Sequence, residues 1–191
     1  MINIEEYILN PFRLNERKKL DWYELWIYKS DYITSYYAGI KGKYSIIDES
    51  IYYYMIMLEI GIHLLKDYSN YYDYVYIQHN LLINESLYIK EDIKERDFAE
   101  YIKYLFYNNY DIKYIYDLIE RYRDKFNYYL VGVRLLFPSY YLFYFEKVIV
   151  SNSDYDKLED VVKRIPDYEQ YLKNVINKLN EYVYKKIVLP F

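Results

Sequence analysis

Cysteine does not occur anywhere in the 191-residue chain. Its absence excludes a disulfide framework, a metal site built on thiolates and a cysteine nucleophile. Glycine and proline are also scarce, with four residues of each. Since these two residues are the strongest breakers of regular structure, their scarcity leaves long uninterrupted segments and favours helices over short strands. The composition therefore predicts a mainly α fold.

Two further absences concern membranes and nucleic acids. The N-terminal residues (MINIEEY) lack the positive and apolar regions of a signal peptide, and no apolar run reaches the roughly 20 residues that span a bilayer. Basic and acidic residues, 25 and 29 in number, are interspersed along the chain, so no basic face is offered to a phosphate backbone. We expect a cytoplasmic protein that has no transmembrane segment and does not bind nucleic acid.

Tyrosine is the residue that the chain has in excess, with 33 copies. A tyrosine ring buries well, whereas its hydroxyl group still needs a hydrogen-bond partner or water. We therefore expect an aromatic core with phenol groups at its edge. The chain is long enough to bury such a core without metal or disulfides, and the absence of a linker-like segment predicts a single helical domain over residues 1–191.

The spacing of apolar residues predicts the secondary structure. A first helix is expected over 15–40, because Leu20, Trp22, Trp26, Tyr32 and Tyr36 recur near helical spacing. Alternating, β-branched stretches predict two short strands at 74–78 and 86–89, and thus at most a short two-stranded β element near 74–89. The other predicted helices cover 48–66, 96–107, 112–126, 127–137, 139–150, 154–164 and 166–185.

The most apolar segment of the chain contains Arg134 and Pro138. A proline inside a helix removes a backbone donor and clashes with the preceding turn, which predicts two helices that meet at Pro138. A charge as deep as that of Arg134 is rarely unpaired. Asp97 is the first candidate for a buried ion pair with Arg134, and Glu100 or Glu146 would serve equally.

One histidine lies in a position that suggests catalysis. His79 stands where a predicted strand gives way to a loop, as the histidine of a kinase catalytic loop does. Asn80 follows it, and no carboxylate stands one or two positions later to act as a general base. We interpret His79 as a structural residue and expect no catalytic residue in this chain.

An acidic segment offers the oxygen ligands that hard cations take. Its carboxylates belong to Glu85, Glu91, Asp92, Glu95 and Asp97. Basic residues are interleaved with them, and acidic residues are favoured at a helix N-terminus. We therefore interpret the segment as a solvated connection that leads into a helix, and expect neither a metal nor a cofactor.

Three blocks of the chain carry a family resemblance. They are residues 22–32 (WYELWIYKSDY), residues 49–59 (ESIYYYMIMLE), and residues 96–103 (RDFAEYIK) followed by 134–141 (RLLFPSYY). In this order they resemble the YutH/CotS family of spore-coat-associated, kinase-like proteins, over about Leu20 to Ile149. The resemblance implies the helical C-lobe of a kinase-like fold of the aminoglycoside phosphotransferase superfamily, without the N-lobe that carries the phosphate-anchoring lysine.

The same resemblance implies a function. His79 falls at the catalytic-loop histidine, and the catalytic aspartate is replaced. Because phosphoryl transfer depends on metal ligands and a phosphate clamp, the resemblance implies a pseudokinase that acts as a structural or scaffolding protein of the cytoplasm or the spore coat. Its partners would be coat proteins or a second copy of the chain, bound through aromatic residues such as Tyr140 and Tyr141.

Two alternative functions stay open. The first is half of a small-molecule phosphotransferase that needs a separate nucleotide-binding partner. The second is a peripheral membrane adaptor that uses the aromatic corner around Pro138, although the even mixing of charges argues against a basic amphipathic face.

Overall fold

The computed structural model describes residues 8, 12–66, 68, 71–79 and 88–190, with the backbone alone for 12–18, 71–79 and 88–91. Helices dominate these residues, which confirms the prediction of a mainly α fold. The strands are β1 (Phe12–Lys19), β2 (Tyr71–His79) and β3 (Tyr88–Asp92). The helices are α1 (Trp22–Ile40), α2 (Ser45–Leu65), α3 (Lys94–Tyr107), α4 (Ile112–Arg121), α5 (Tyr128–Leu136), α6 (Ser139–Ser151), α7 (Tyr155–Lys163) and α8 (Ile165–Asn180).

The three strands form one antiparallel sheet in the order β1-β2-β3. Lys19 pairs with Tyr71, and His79 pairs with Tyr88. The sheet is therefore larger than the two-stranded element expected near 74–89, and the residues from 15 onward that were expected to begin the first helix belong to β1. The polar sequence of β1 gives no local strand signal. The segment is a strand because its backbone pairs with that of β2, which is distant in the sequence.

The chain divides into two compact units, each assembled from segments that are distant in sequence. Unit 1 consists of Met1–Leu20, Ser69–Leu135 and Glu169–Phe191. Unit 2 consists of Asp21–Tyr68 and Leu136–Tyr168. That residues 1–191 fold as a single domain stays a prediction.

Unit 2 has an aromatic core. Trp22 and Trp26 of α1 stack with their ring centroids 5.7 Å apart, and Trp26 contacts Phe137 at 4.9 Å between centroids. Helix α2 comes close to the same indole at Gly61, where an added Cβ atom would lie 2.6 Å from Trp26 Cζ3. Glycine is thus the residue that allows α2 to pack against α1 at this point.

Unit 1 encloses a second core around α3. The ring of Phe98 stacks on that of Phe126 with centroids 4.3 Å apart, and the hydroxyl group of Tyr171 donates a hydrogen bond of 2.9 Å to the carbonyl oxygen of Ile102. After α8 the chain folds back, because the Asn180 side chain both accepts from and donates to the backbone of Ile187, at 2.9 and 2.8 Å.

The proline in the apolar segment separates two helices, as predicted. Helix α5 ends at Leu136 and α6 begins at Ser139, with the Pro138 carbonyl oxygen accepting a hydrogen bond from the Leu142 amide at 2.9 Å. The expected helices at 127–137 and 139–150 are therefore confirmed to within a residue or so at each end. No helix among the described residues is both long and apolar enough to cross a membrane.

Candidate functional site

An open groove lies on unit 2 between α1 and α6, and is called here the aromatic groove. Its volume is about 320 Å³, and its lining residues are Tyr28, Lys29, Tyr32, Glu146 and Val150. Helical spacing explains the arrangement, because Tyr28 and Tyr32 are one turn apart on α1 and Glu146 and Val150 are one turn apart on α6. Tyr28 and Val150 expose 71% and 73% of their surface, so both remain available for contact with another molecule.

Charge and aromatic rings meet in the aromatic groove. The Lys29 ammonium donates a hydrogen bond to Glu146 Oε1 and lies 5.3 Å from the centroid of the Tyr32 ring. The other carboxylate oxygen, Glu146 Oε2, has no partner among the described residues. The aromatic groove therefore holds one cation of its own chain and retains a free carboxylate oxygen beside an exposed tyrosine ring.

The sequence interpretation missed this site because it joined Tyr32 and Tyr36 to the tryptophan stripe of the first helix. In the structure the buried stripe of α1 is Trp22, Trp26, Ile33 and Tyr37. The exposed side chains of Leu25, Tyr28 and Tyr32 form a second apolar stripe at spacings of three and four. A second stripe on a helix that already has a complete buried one is the signal that could have revealed the site.

The predicted partner surface at Tyr140 and Tyr141 is wrong. These side chains keep 7% and 1% of their surface exposed. The Tyr141 ring stacks on Tyr54 at 3.9 Å between centroids, and its hydroxyl oxygen accepts a hydrogen bond of 3.3 Å from Ser50 Oγ. The first turn of α6 packs into the core of unit 2 because each ring finds an apolar surface and the Tyr141 hydroxyl finds a partner.

The acidic segment and its neighbours form a buried charge cluster in unit 1. Its members are Asp92, Glu95, Arg96, Asp97, Glu100, Lys103 and Arg134. The expected solvated start of a helix is therefore wrong for these residues, since α3 packs against β2 and takes its polar first turns out of water. Of the other predicted members, Glu85 lies outside the described residues, and so does the side chain of Glu91.

Arg134 forms its buried ion pair with Glu100. Its Nε and Nη2 atoms both lie 2.9 Å from Glu100 Oε1, which corrects the expected pairing with Asp97. Lys103 joins the pair through Nζ, 3.2 Å from Glu100 Oε1 and 3.1 Å from the Arg134 carbonyl oxygen. Asp97 and Glu100 are one turn apart on the same helix, so sequence spacing could not distinguish between them. Burial lowers the pKa of Lys103 to about 8.

Two further carboxylates of the charge cluster, those of Asp92 and Glu95, also have structural partners. Asp92 Oδ2 lies 3.0 Å from Arg96 Nη1, and Glu95 Oε1 accepts a hydrogen bond of 2.9 Å from the Asn127 amide. Burial raises the pKa of Glu95, and the bond from Asn127 partly offsets it. Within the described part of the chain, no group of histidine, aspartate and glutamate side chains is arranged to hold a metal ion.

Asp97 differs from the other carboxylates of the charge cluster. Its Oδ2 atom has no hydrogen-bond partner among the described residues. Burial raises the pKa of Asp97 well above its usual value, and the nearby Arg96 guanidinium opposes this shift without cancelling it. The carboxyl group therefore keeps its proton to a higher pH than an exposed aspartate would, which reduces the cost of burying it.

The predicted degenerate catalytic-loop position stays a prediction. The backbone of His79 ends strand β2 opposite Tyr88, while its side chain and all of Asn80 lie outside the described residues.

Comparisons with protein-family models, with curated proteins and with solved structures find no match to this chain. The likeness to the YutH/CotS family therefore stays a prediction from the sequence.

Proposed function

We propose that the protein is a non-catalytic scaffolding protein that binds a polypeptide partner through the aromatic groove. The observation that carries the proposal is the exposure of Tyr28, at 71%, beside Val150, at 73%, on the rim of an open groove. Contiguous apolar side chains on a surface are typical of interaction sites. Tyrosine is also among the residues that contribute most binding energy at protein interfaces.

The burial and pairing of the acidic side chains support the proposal that the protein is not catalytic. Nucleotide-dependent phosphotransferases need carboxylates that face solvent to hold Mg²⁺ and the phosphates. In the charge cluster, Asp92, Glu95 and Glu100 are buried and already accept hydrogen bonds or ion pairs from their own chain. Their arrangement holds α3 and α5 in unit 1, and among the described residues of that unit no group of carboxylates is left open to hold a metal ion.

The sequence resemblance supports the setting of the proposal. Blocks at 22–32, 49–59, 96–103 and 134–141 resemble spore-coat-associated, kinase-like proteins. The first of these blocks contains Tyr28, Lys29 and Tyr32 of the aromatic groove. We therefore propose other coat proteins as the partners and the spore coat as the place of action.

A photo-cross-linking experiment tests the proposed function. The photoreactive amino acid p-benzoylphenylalanine is placed at Tyr32 in cells that make the protein during sporulation, and adducts are identified by mass spectrometry. The matched control places it at Tyr155 of α7, which is also 39% exposed but does not line the aromatic groove. We expect a discrete protein adduct from position 32 and not from position 155.

A second substitution links the adduct to the groove. Tyr28→Ala removes an exposed ring without touching the core and should reduce the adduct from position 32 by about tenfold, the loss typical of an interface aromatic that contributes strongly. Equal adducts from positions 32 and 155, or no adduct from position 32, would contradict the proposed function.

A further inference from the structure

We infer that the aromatic groove recognises a cationic side chain, arginine above all, in a basic segment of the partner. The inference rests on the proposed function, because it assigns the chemistry of the partner at the same groove. Three observations carry it: the cation that the groove already holds, the carboxylate oxygen that it leaves free, and the excess of acidic residues in unit 2.

The groove already binds one cation, which belongs to its own chain. Lys29 places its ammonium group on Glu146 Oε1 and 5.3 Å from the centre of the Tyr32 ring. A ring face and a carboxylate both attract positive charge, and together they form the type of site that binds ammonium and guanidinium groups in other proteins. Lys29 thus shows that the local field of the groove favours a cation.

The aromatic groove has space for a second cation and a carboxylate oxygen that can bind it. Glu146 Oε2 has no partner among the described residues, and the ring of Tyr28 is largely exposed on the same rim. A guanidinium group is planar, stacks on aromatic faces and presents several N–H donors to a carboxylate. An arginine can therefore stack on Tyr28 and donate to Glu146 Oε2, while Lys29 competes for the same carboxylate.

The charge of unit 2 supports a basic partner. Its segments, Asp21–Tyr68 and Leu136–Tyr168, contain 13 aspartate and glutamate residues against 8 lysine and arginine residues. The segments of unit 1 are balanced, with 16 acidic against 17 basic residues. An acidic surface speeds encounter with a basic polypeptide and disfavours nucleic acid or anionic lipid.

The direct test is an NMR titration that requires no knowledge of the natural partner. The probes are two short peptides, acetyl-Gly-Arg-Leu-Gly-amide and the same peptide with citrulline, the neutral isostere of arginine. Ring signals of Tyr28 and Tyr32 are followed in protein carrying ¹³C-labelled tyrosine. We expect saturable shifts with the arginine peptide and binding at least about tenfold weaker with citrulline, since a charge-assisted hydrogen bond and a cation–π contact are both lost.

Three variants identify the groups responsible. Glu146→Gln should weaken binding of the arginine peptide by about tenfold, whereas Lys29→Gln removes the internal competitor and should strengthen it by about twofold to fivefold. Glu159→Gln is the matched control, because Glu159 also belongs to unit 2, pairs with Lys163 and is 42% exposed, against 44% for Glu146. It should change the affinity by less than about twofold.

Two results would overturn the inference. Equal affinity for the arginine and citrulline peptides would mean that the groove does not recognise the charge of the side chain. An equal loss of affinity in Glu159→Gln and Glu146→Gln would mean that the peptide is attracted by the overall charge of unit 2 and not by Glu146. If either result is found together with a photo-cross-link that depends on the groove, the proposed function is retained, but the partner does not bind through a cationic side chain. Absence of the cross-link would instead remove the proposed function itself.

Discussion

At the scale of single residues, tyrosine has two opposite roles in unit 2. Tyr141 and Tyr54 are buried and stacked, and their hydroxyl groups reach Ser50 and the Val161 carbonyl oxygen. Tyr28 is exposed on the rim of the aromatic groove. The same side chain therefore serves the core where its hydroxyl group finds a partner, and serves the surface where the helix turns it outward.

Gly61 provides a prediction about packing. Gly61→Ala would place a methyl carbon 2.6 Å from Trp26 Cζ3, and the indole cannot retreat easily because it is buried against Trp22 and Phe137. Overpacking of this kind typically costs about 1–3 kcal/mol. We expect a loss of this size in the free energy of unfolding, measured by urea denaturation.

Gly39 is the matched control for Gly61. It also lies in a helix, α1, but nothing approaches within 4 Å of an added Cβ atom. Because alanine is a better helix former than glycine, Gly39→Ala should be neutral or stabilise the protein by up to about 1 kcal/mol. A similar effect of the two substitutions would show that the close contact at Trp26 does not constrain the fold.

Glu100 provides a prediction about the buried charges. Glu100→Gln leaves Arg134 and Lys103 buried without the carboxylate that both contact, and breaking a buried pair in this way typically costs about 3–5 kcal/mol. The measurement is again the free energy of unfolding. Glu159→Gln breaks an exposed pair with Lys163 and should cost less than about 1 kcal/mol. Comparable losses would show that the interior around Glu100 is as well solvated as the surface.

At the scale of secondary structure, helix α4 has a start that local chemistry fixes and an end that it does not. Helix α4 begins at Ile112, where the sequence predicts it, because Asp111 Oδ1 accepts a hydrogen bond of 2.8 Å from the Lys113 amide. The same helix ends at Arg121, five residues before the predicted end, and the Lys125 amide donates to the Tyr122 carbonyl oxygen in a turn that follows it.

The cap at Asp111 can be tested directly. Asp111→Ala removes the acceptor for an amide that has no partner inside the helix, and should lower the free energy of unfolding by about 1 kcal/mol. Asp111→Ser keeps a capping oxygen and should retain most of the stability. Thermal or urea denaturation distinguishes these outcomes, and an equal loss in the serine and alanine variants would contradict the capping role.

At the scale of the whole molecule, the distribution of charge is more informative than its sum. The net charge of −4 arises from unit 2, whereas the segments of unit 1 are nearly balanced. Unit 1 buries the charge cluster, in which Arg134 pairs with Glu100, and unit 2 presents Glu146 beside exposed aromatic rings. This division agrees with a structural role for the charge cluster and a binding role for the aromatic groove.

A nucleotide titration tests the non-catalytic proposal for the whole chain. ATP with Mg²⁺ stabilises a protein only if it binds the folded state in preference to the unfolded state. We therefore expect no change in Tm, measured by differential scanning fluorimetry, at nucleotide concentrations that stabilise a phosphotransferase run in parallel. A saturable rise in Tm that requires both ATP and Mg²⁺ would favour the phosphotransferase alternative instead.

The sequence alone determined the features that depend on neighbours along the chain. Helical spacing predicts the mainly α fold, proline geometry predicts the break at Pro138, and a capping side chain fixes the start of α4 at Ile112. These effects act within about one helical turn and need no information from elsewhere in the fold. For the helices that follow the sheet, most of the predicted ends therefore lie within a few residues of the observed ends.

The tertiary structure decided which segments and faces meet. It added β1 to the sheet, gave Arg134 the carboxylate of Glu100, and buried Tyr141 while leaving Tyr28 exposed. None of the groove residues was predicted as a site, because a helix with two apolar stripes does not reveal which of them a neighbouring helix will cover. Contacts between distant segments determine which strands pair, which charges form ion pairs and which side chains are buried. The spacing of residues along the sequence does not predict those contacts.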